Sequence, residues 1–515
     1  MKQRVILVNP KMCSPRAVRL PLSLLALGAV LEGRYEYDIV DGNVDPDAAG
    51  TVRAMLDRHD TALVAMTVMP GPQVAPAIQI ASAVRAAAPR VPIAWGGYFP
   101  TLYPDSAVNA PYVDFVIRGQ GEDTVVDLLE GLRATGPGEY GSAAAHHATV
   151  TDIPGLTWKR DGQIVHNADR PFRPPDTYPP FPYARLGDVG RYLRPSFLGS
   201  RTAVHQAAIG CRYRCTFCGV VSMFNGSTHL QGGARLAQAL TTLRDQYGAN
   251  AVQYYDHNFF DREETSIEAL DVMARFELPW WCYARADTLA NFETKTWELI
   301  EKSQLKMTYI GAEAASDSAL KRMHKGSKVE HTLEVARRCR AFGVIPEFSF
   351  VLGGPEDPEG EIEATFRFVK QLKKIHPECE IILYFYSPTP QREPAWRQRD
   401  HGGAGRIPIL ETYGPEGPAL PTTPEEWTQP RWIDYVCHQD APWLTPRMRR
   451  RVRDFSRVLY SRFPTVQDYA TPRWGKSILR HVARWRYATG RYEQPWELDL
   501  VRRFIPLREP QRESI

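Results

Sequence analysis

Cys211-Arg212-Tyr213-Arg214-Cys215-Thr216-Phe217-Cys218 is a C-x3-C-x2-C segment flanked by Ile209-Gly210 and Gly219. Three cysteines at this spacing cannot share one helical face, so they must line a loop around a single inorganic centre. Soft thiolate ligands select zinc, copper(I) or an iron–sulfur cluster. A structural zinc site takes four ligands, usually from two paired turns, but the other five cysteines are scattered singly: Cys13, Cys282, Cys339, Cys379 and Cys437. Three ligands instead suit a [4Fe–4S] cluster that keeps one iron open.

With an aromatic residue directly before its third cysteine, this segment resembles the cluster-binding loop of the radical S-adenosylmethionine (SAM) superfamily. The resemblance implies that Cys211, Cys215 and Cys218 hold the cluster as the catalytic centre. It also implies that the amino and carboxylate groups of SAM chelate the open iron. Phe217 and Gly219 are then expected to contact SAM, with Phe217 packed on its adenine. The alternative is that the three cysteines are unrelated.

The composition is that of an ordinary globular protein. A chain of 515 residues with 43% hydrophobic and 24% charged residues has room for two to four domains. The net charge of +4 is too small to argue for nucleic acid as a partner. Eight cysteines, three of them in one motif, indicate a reducing compartment. The N-terminal apolar run is too short for a signal peptide, and no run of 18 apolar residues predicts a membrane span, so we expect a cytoplasmic protein.

Residues 1–135 alternate short apolar runs with amphipathic segments, which is typical of a parallel α/β sheet. Strands are predicted at Arg4–Val8, Tyr37–Val40, Ala62–Met66, Ile93–Trp95 and Phe115–Ile117, and helices at Leu20–Leu31 and Ala75–Ala87. Open α/β sheets bind their ligands at the carboxyl ends of the strands. The candidate ligand contacts are therefore the residues that follow these strands: Asn9, Asp41, Asn43, Thr67, Gly96, Gly97, Tyr98, Gly119, Gly121 and Glu122.

No G-x-G-x-x-G follows the first strand, so a dinucleotide is not expected. The run Trp95–Thr101, with Val113–Val116 and Arg118–Glu122, instead resembles the Rossmann-like cobalamin-binding domain that precedes many radical SAM domains. The resemblance implies that the ten candidate contacts named above bind cobalamin. Phe99 stands where the family often has His, Gln120 where it often has Glu, and the D-x-H-x-x-G signature is absent. We therefore expect cobalt without a histidine ligand, or else a domain that has lost its cofactor.

Residues 136–200 are predicted to be a connector between two domains. Gly136–His147 is small and polar, which indicates a surface loop. Residues 153–165 predict a hairpin that turns at Asp161-Gly162. The proline-rich run Pro171–Pro182 predicts an extended linker.

Strands and helices alternate again over residues 201–395. Strands are predicted at Thr202–Ala208, Ala251–Tyr255, Trp280–Tyr283, Lys306–Ile310, Pro346–Leu352 and Ile381–Tyr386. Six such βα units make a partial (β/α)6 barrel whose strand-end loops build the site. Tyr309–Asp317 with Lys325-Gly326, and Phe350–Glu356, resemble the fourth- and fifth-strand motifs of B12-type radical SAM enzymes.

Polar residues at these strand ends are candidates for binding SAM. Asp256 and Glu313 would hold its ammonium and ribose hydroxyls, and Arg285 its carboxylate, unless Arg285 and Glu313 simply pair across the barrel. Gly353-Gly354-Pro355 would present backbone to the adenosine without a side chain in the way. Two histidines are expected to be structural rather than ligands: His257 and His324.

Residues 396–515 are predicted to be mostly helical. Thr445-Pro446 is typical of a helix start, and the apolar stripe that follows is Met448, Val452, Phe455 and Leu459. A second helix after Thr471-Pro472 has an apolar face made of Trp474, Ile478, Val482 and Trp485. We expect these helices to cover the open edge or mouth of the barrel. The alternative is a substrate-recruiting or membrane-surface face.

The resemblance implies an activity as well as a fold. Most relatives with this architecture methylate an unactivated carbon of a metabolite, through a 5′-deoxyadenosyl radical and methylcobalamin. Oxidative cyclisation, as in the anaerobic porphyrin ring cyclases, is the alternative within the family. A non-catalytic iron–sulfur or zinc protein is the alternative from another class, and the ordered strand-end motifs weigh against it. The expected partners are a small-molecule substrate and a one-electron reductant such as flavodoxin or ferredoxin.

Overall fold

The computed structural model describes residues 4–134, 149–387, 420–441, 443–468 and 471–510. The predicted loop at Gly136–His147 and the predicted domain boundary at residue 395 lie outside these ranges. Within them the β-strands are β1 (Arg4–Asn9), β2 (Glu36–Asp41), β3 (Thr61–Thr67), β4 (Ile93–Gly96), β5 (Phe115–Ile117), β6 (Leu156–Arg160), β7 (Gln163–His166), β8 (Thr202–His205), β9 (Ala208–Gly210), β10 (Thr228–Leu230), β11 (Ala251–Tyr254), β12 (Trp280–Arg285), β13 (Leu305–Glu313), β14 (Ile345–Leu352) and β15 (Glu380–Phe385).

The α-helices of the same ranges are α1 (Leu22–Leu31), α2 (Ala48–Arg58), α3 (Val74–Ala87), α4 (Tyr98–Leu102), α5 (Pro104–Asn109), α6 (Glu122–Ala134), α7 (Val220–Phe224), α8 (Gly233–Thr241), α9 (Glu263–Phe276), α10 (Ala286–Ala290), α11 (Thr294–Lys302), α12 (Asp317–Arg322), α13 (Val329–Ala341), α14 (Pro358–Ile375), α15 (Pro424–Trp427), α16 (Pro430–Val436), α17 (Pro446–Arg462), α18 (Arg473–Thr489) and α19 (Trp496–Phe504). In the part of the chain that the structure describes, no helix is long and apolar enough to cross a membrane.

The chain divides into two compact units. The first contains Met1–Arg194, Ile209–Gln231 and Pro388–Cys437, and the second contains Pro195–Ala208, Gly232–Ser387 and His438–Ile515. The cysteine segment therefore belongs to the first unit, although the residues on both sides of it in sequence belong to the second.

The first unit is built on a seven-stranded sheet in the order β2-β1-β3-β4-β5-β6-β7. The first five of these strands are parallel to one another, and all five match the predicted strands. Because β1 lies between β2 and β3, the strand order reverses at β1. An open α/β sheet binds its ligand at the carboxyl ends next to such a switch point.

Both faces of this sheet are buried, which is why its strands stand out in the sequence as apolar runs. Along β1, Ile6 and Val8 face one core, whereas Val5 and Leu7 face the other. The same alternation continues along β3 on both sides of the sheet. The sequence pattern and the packing therefore agree on an α/β sandwich.

The predicted hairpin is confirmed, and it extends the first sheet. Its turn residues Asp161 and Gly162 have φ values of +52° and +80°, as a two-residue turn of type I′ requires. Strand β6 pairs antiparallel with β5, with Phe115 opposite Trp158. The proline-rich run after the hairpin is irregular apart from one short 3-10 turn at Pro175–Thr177.

The second unit is built on a six-stranded sheet in the order β15-β14-β13-β12-β11-β8. All its neighbouring strands are parallel, so the predicted six-unit partial barrel is confirmed. Strand β8 ends at His205, earlier than predicted, and Ala208 begins the separate strand β9. Strand β13 is longer than predicted and reaches Glu313.

The predicted helices of the C-terminal region are present. Thr445 caps α17, where its hydroxyl accepts a hydrogen bond from the Met448 backbone N–H at 3.2 Å, and the apolar side of that helix is buried. For α18 the structure differs from the expectation that its apolar face covers the barrel. Trp474 and Trp485 are exposed, and the helix instead buries Leu479 against Ile505.

Two buried carboxylates, Glu347 on β14 and Glu380 on β15, lie opposite each other at the amino ends of these strands. The Gln467 amide donates hydrogen bonds to both, at 2.7 Å to Glu347 and 3.2 Å to Glu380. Burial, followed by the neighbouring Glu380 carboxylate, raises the pKa of Glu347 to about 8. Burial also raises the pKa of Glu380. The pair therefore holds a proton at neutral pH.

We expect Glu347→Gln to remove a pH dependence of stability. A carboxyl group whose pKa rises from 4.5 to about 8 on folding binds more protons when folded. The free energy of unfolding of the wild type must therefore fall as the pH increases through that window. Glutamine mimics the protonated carboxyl. The free energy of unfolding of the variant should therefore exceed that of the wild type by about 1–3 kcal/mol near pH 8.5, and the two should differ little near pH 5.

Urea unfolding of both proteins at the two pH values measures this difference. The exposed Glu378, near the pair in sequence, offers a matched control, since Glu378→Gln makes the same chemical change without the buried neighbour. A Glu347→Gln effect of equal size at both pH values would contradict the shared proton.

Candidate functional site

The cysteine loop lies between β9 and β10, which pair as a two-stranded sheet at its base. Gly210 enters the loop at φ +77°, and a Cβ there would overlap the Ser227 carbonyl oxygen. Only glycine therefore fits at this position. Within the loop, the Cys218 N–H donates to the Cys215 carbonyl at 3.2 Å.

The three predicted cluster ligands are thiols without a disulfide: Cys215 is buried, and Cys211 and Cys218 are half-buried. Among the described residues, no three His, Cys, Asp or Glu side chains are arranged to hold a single metal ion. Three thiols on one closed loop are the donor set that a [4Fe–4S] cluster with one open iron uses.

Within the first unit, the cysteine loop packs against the turns that follow β4 and β5. A Cβ on Gly219, next to the third cysteine, would lie 3.3 Å from both the Tyr98 ring and Leu102 of α4. A Cβ on Gly119 would lie 3.1 Å from the Met223 carbonyl oxygen of α7. Burial, and more weakly the Cys218 and Cys211 thiolates, raise the pKa of Tyr98. The structure thus brings two predicted cobalamin turns and the predicted cluster loop into contact.

The polar residues predicted at the ends of β1 and β2 bind one another. Asn9 donates to Asp41 at 3.0 Å, as does the side-chain amide of Asn43. Gln73, at the start of α3, donates to Asn9 at 2.8 Å and to the Pro10 carbonyl at 2.6 Å. Burial raises the pKa of Asp41. This network holds the strand ends in place. The sequence analysis did not identify Gln73, because Gln73 lies well past the end of β3, directly before α3.

The glycines at these strand ends differ in whether the surrounding protein leaves room for a side chain. Gly97 has φ +94°, and a Cβ there would lie 3.0 Å from the Thr67 hydroxyl, so the fold itself requires it. At Gly96 and Gly121 a Cβ would meet its nearest protein atoms only at 3.6 Å and 3.5 Å. Because the protein does not need glycine at these two positions, they fit the close approach of a bulky ligand such as a corrin.

Both departures from the family pattern have structural roles. Phe99 is fully buried, with ring centroids 5.8 Å from Tyr103 and 6.0 Å from Trp427. The Gln120 side chain donates to the Arg173 carbonyl and accepts from the Arg173 N–H, both at 2.9 Å. Neither side chain is therefore available as a cobalt ligand, and the expectation of cobalt without histidine stays a prediction. Glu122 is buried at the start of α6, and burial raises its pKa.

In the second unit, Asp256 follows β11 and is buried. Its Oδ1 accepts the Ala208 backbone N–H at 2.7 Å, whereas its Oδ2 has no hydrogen-bond partner among the described residues. Burial raises the pKa of Asp256 well above its ordinary value. A buried carboxylate oxygen without a partner fits the binding of a ligand ammonium or hydroxyl, as predicted for SAM.

Arg285 and Glu313 do not pair with each other. Arg285 binds both oxygens of Asp287, at 3.0 Å and 3.1 Å, and donates to the Lys325 carbonyl. Glu313 instead accepts from Lys325 Nζ at 2.6 Å, and both side chains of that pair are about 6% exposed. A Cβ on Gly311 would overlap Glu313 Oε1, so this glycine makes room for the pair. Asp287 and Lys325 were not among the predicted site residues.

The Gly353-Gly354 turn is in close contact with other residues of the second unit: Leu444, Trp443 and Glu361. A Cβ on Gly353 would lie 2.8 Å from Leu444, and the Trp443 indole donates to the Gly353 carbonyl at 2.6 Å. Gly354 N–H donates to Glu361 at 2.7 Å. The predicted contacts of this turn and of Pro355, Phe217 and Gly219 with SAM stay predictions.

His257, which was expected to be structural, has a pKa lowered to about 4 by burial.

Two family models match the chain. The B12 binding domain matches residues 17–129, and the radical SAM superfamily matches residues 207–369. These two domains imply cobalamin, SAM and a [4Fe–4S] cluster as cofactors. The predicted cofactors and the predicted order of the two domains are confirmed.

Curated relatives are 23–24% identical to this chain over the residues that align. An uncharacterised methyltransferase of Pyrococcus horikoshii is 23% identical over 358 residues, covering 68% of this chain and 73% of the relative. The anaerobic magnesium-protoporphyrin IX monomethyl ester cyclase of a Synechocystis species is 23% identical over 406 residues, covering 76% of this chain and 75% of the relative. The hopanoid C-2 methylase of Rhodopseudomonas palustris is 24% identical over 199 residues, covering 37% of this chain and 36% of the relative.

Solved structures of the same architecture establish the fold. The radical S-adenosylmethionine methyltransferase TsrM from Kitasatospora setae, solved with cobalamin and a [4Fe–4S] cluster bound, superimposes with a TM-score of 0.62 at 17% identity. That match covers 94% of this chain and all of TsrM. The cobalamin-dependent S-adenosylmethionine radical enzyme OxsB gives a TM-score of 0.59 at 19% identity, covering 71% of this chain and 52% of OxsB. With a B12-binding domain ahead of a radical SAM domain, and with this shared fold, the chain belongs to the cobalamin-dependent radical SAM enzymes.

Proposed function

We propose that the protein is a methyltransferase that methylates an unactivated carbon of a small metabolite or biosynthetic intermediate. The observation that carries this proposal is the contact between the cysteine loop and the first sheet, where Gly219 meets Tyr98 and Gly119 meets Met223. Both partners of each contact lie in one compact unit. The protein therefore holds its cluster loop beside its predicted cobalamin turns, and such proximity speeds a transfer between two centres.

Methyltransferases among the similar proteins support methyl transfer as the reaction. One fold match that spans nearly the whole chain is to a methyltransferase. Methyltransferases also occur among the curated relatives, including one that covers about two thirds of this chain.

The residues of this chain have separate tasks in the proposed reaction. When bound, the cluster and SAM supply one-electron chemistry, and cobalamin supplies the methyl carrier. Cys211, Cys215 and Cys218 hold the cluster, and Gly96 leaves the corrin room to approach. Asp256 offers its unpartnered oxygen to SAM. The electron comes from a separate one-electron donor, for which we propose a flavodoxin or a ferredoxin.

The decisive measurement is the ratio of two SAM-derived products during turnover. A methyltransferase of this kind consumes two SAM molecules per product, one giving S-adenosylhomocysteine and the other giving 5′-deoxyadenosine. We expect a ratio of about one between these products, together with a gain of one methyl mass on an accepted substrate. Anaerobic turnover followed by mass spectrometry provides both values.

Oxidative cyclisation is the second candidate, because the Synechocystis cyclase aligns over three quarters of this chain. An oxidative enzyme needs only the reductive cleavage of SAM. Substrate-dependent 5′-deoxyadenosine without S-adenosylhomocysteine and without added methyl would overturn the methyltransferase in favour of this alternative. The Cys218→Ala variant is the matched control, since either reaction should stop when a cluster ligand is lost.

A further inference from the structure

Exposed apolar side chains are concentrated on the last two helices of the second unit. Eight large apolar side chains of the described residues are exposed, and only Met12 and Val466 lie elsewhere. The other six belong to α18 and α19: Trp474, Ile478, Trp485, Trp496, Leu500 and Phe504. Single exposed apolar residues are normal in proteins, whereas six on two helices form a surface that needs an explanation.

These side chains form one stripe on each helix. An α-helix turns by about 100° per residue, so Trp474, Ile478 and Trp485 lie within about 40° of one another on α18. Trp496 and Phe504, at the two ends of α19, are 69% and 79% exposed. The two helices meet through other residues, with Leu479 of α18 in contact with Ile505 and Val501. The stripes are therefore faces that the packing of the unit leaves uncovered.

The same region concentrates positive charge. Residues 471–510 contain nine Lys and Arg and four Asp and Glu, a surplus larger than the net charge of +4 of the whole chain. All four acidic side chains are already paired, in the bridges Arg451–Glu493, Arg486–Glu497, Arg457–Asp499 and Arg502–Glu509. The arginines that form no ion pair with the described residues include Arg473, Arg480, Arg484 and Arg503. The surplus charge is thus available to an external partner.

We propose that α18 and α19 form a surface that docks on an anionic lipid bilayer. Helices with Trp, Phe and Leu on one face and Arg beside them are typical of proteins that lie in the membrane interface. Tryptophan favours that boundary because its ring is apolar and its N–H is polar. Arg473, Arg480, Arg484 and Arg503 would contact acidic headgroups, and their positive charge disfavours a second copy of this chain as the occupant. This surface goes beyond the proposed methyl transfer and does not depend on it.

Flotation of the full-length holoenzyme with lipid vesicles tests this proposal. We expect binding to vesicles of phosphatidylcholine with about 30% phosphatidylglycerol, and at least about tenfold weaker partitioning into phosphatidylcholine alone. The variant Trp474→Ser, Trp485→Ser, Trp496→Ser should weaken binding to the anionic vesicles by at least about tenfold. Val466→Ser, which removes an exposed apolar side chain outside the two helices, is the matched control and should bind as the wild type does.

A second variant separates the contribution of charge to vesicle binding from the contribution of apolar burial. Arg473→Gln, Arg480→Gln, Arg484→Gln should lower binding to the anionic vesicles about tenfold and reduce its salt dependence. Far-ultraviolet circular dichroism and iron content should match the wild type in every variant, since the changed side chains are exposed. Wild-type protein that does not float with anionic vesicles would overturn the proposal. So would a dimer in light scattering that the tryptophan variant converts to monomer, because that result assigns the surface to a second copy.

Discussion

The double variant Cys215→Ala, Cys218→Ala is expected to lose its cluster completely. Wild-type protein reconstituted under anaerobic conditions should contain about four irons per chain. Removal of two of the three thiolates leaves Cys211 alone, and a single ligand cannot hold the cluster. Iron analysis and Mössbauer spectroscopy measure the loss without any need for a substrate.

Cys339→Ala provides the matched control for the cluster. Cys339 is buried on α13, outside the C-x3-C-x2-C segment, so its variant should retain about four irons. Retention of the cluster by the double variant would show that the iron is bound elsewhere. It would also remove the main premise of the proposed radical chemistry.

The second large effect is expected at the buried ion pair between Lys325 and Glu313. Lys325→Met removes the ammonium and leaves the Glu313 carboxylate buried without its charge partner. Breaking a buried pair in this way costs about 3–5 kcal/mol of the free energy of unfolding. Chemical unfolding of the two proteins at neutral pH measures this loss of stability.

The double variant Lys325→Met, Glu313→Gln distinguishes loss of charge pairing from loss of packing. It removes both charges while keeping similar side-chain volumes, so it should recover most of the stability that Lys325→Met loses. If the double variant is as unstable as the single one, the pair contributes through packing rather than through charge. If Lys325→Met is as stable as the wild type, the Lys325–Glu313 pair does not contribute to stability, and the prediction is wrong.

Several features of the protein can be predicted from the sequence because they depend only on residues that are close together along the chain. The spacing of Cys211, Cys215 and Cys218 specifies one closed loop, and Asp161-Gly162 specifies one kind of turn. The strands of both sheets stand out because a parallel strand buried on both faces is a continuous apolar run. For the same reason the strand-end position of Asp256 followed from the sequence.

The partners of the charged residues could not be obtained in this way. The sequence left open a pairing of Arg285 with Glu313, whereas Arg285 binds Asp287 and Glu313 binds Lys325. Each strand end carries several polar residues at similar distances along the chain. Which of them converge depends on side-chain directions, and these are set only when the loops pack.

Sequence alone therefore specified the two α/β domains, their order and the cysteine loop, because periodicity and turn preferences are local properties. Tertiary structure alone assigned the cysteine loop to the first unit, where Gly219 meets Tyr98. It also left the tryptophan face of α18 exposed, although helical periodicity had identified that face. Periodicity specifies which residues share a face, but what covers that face depends on residues distant in sequence.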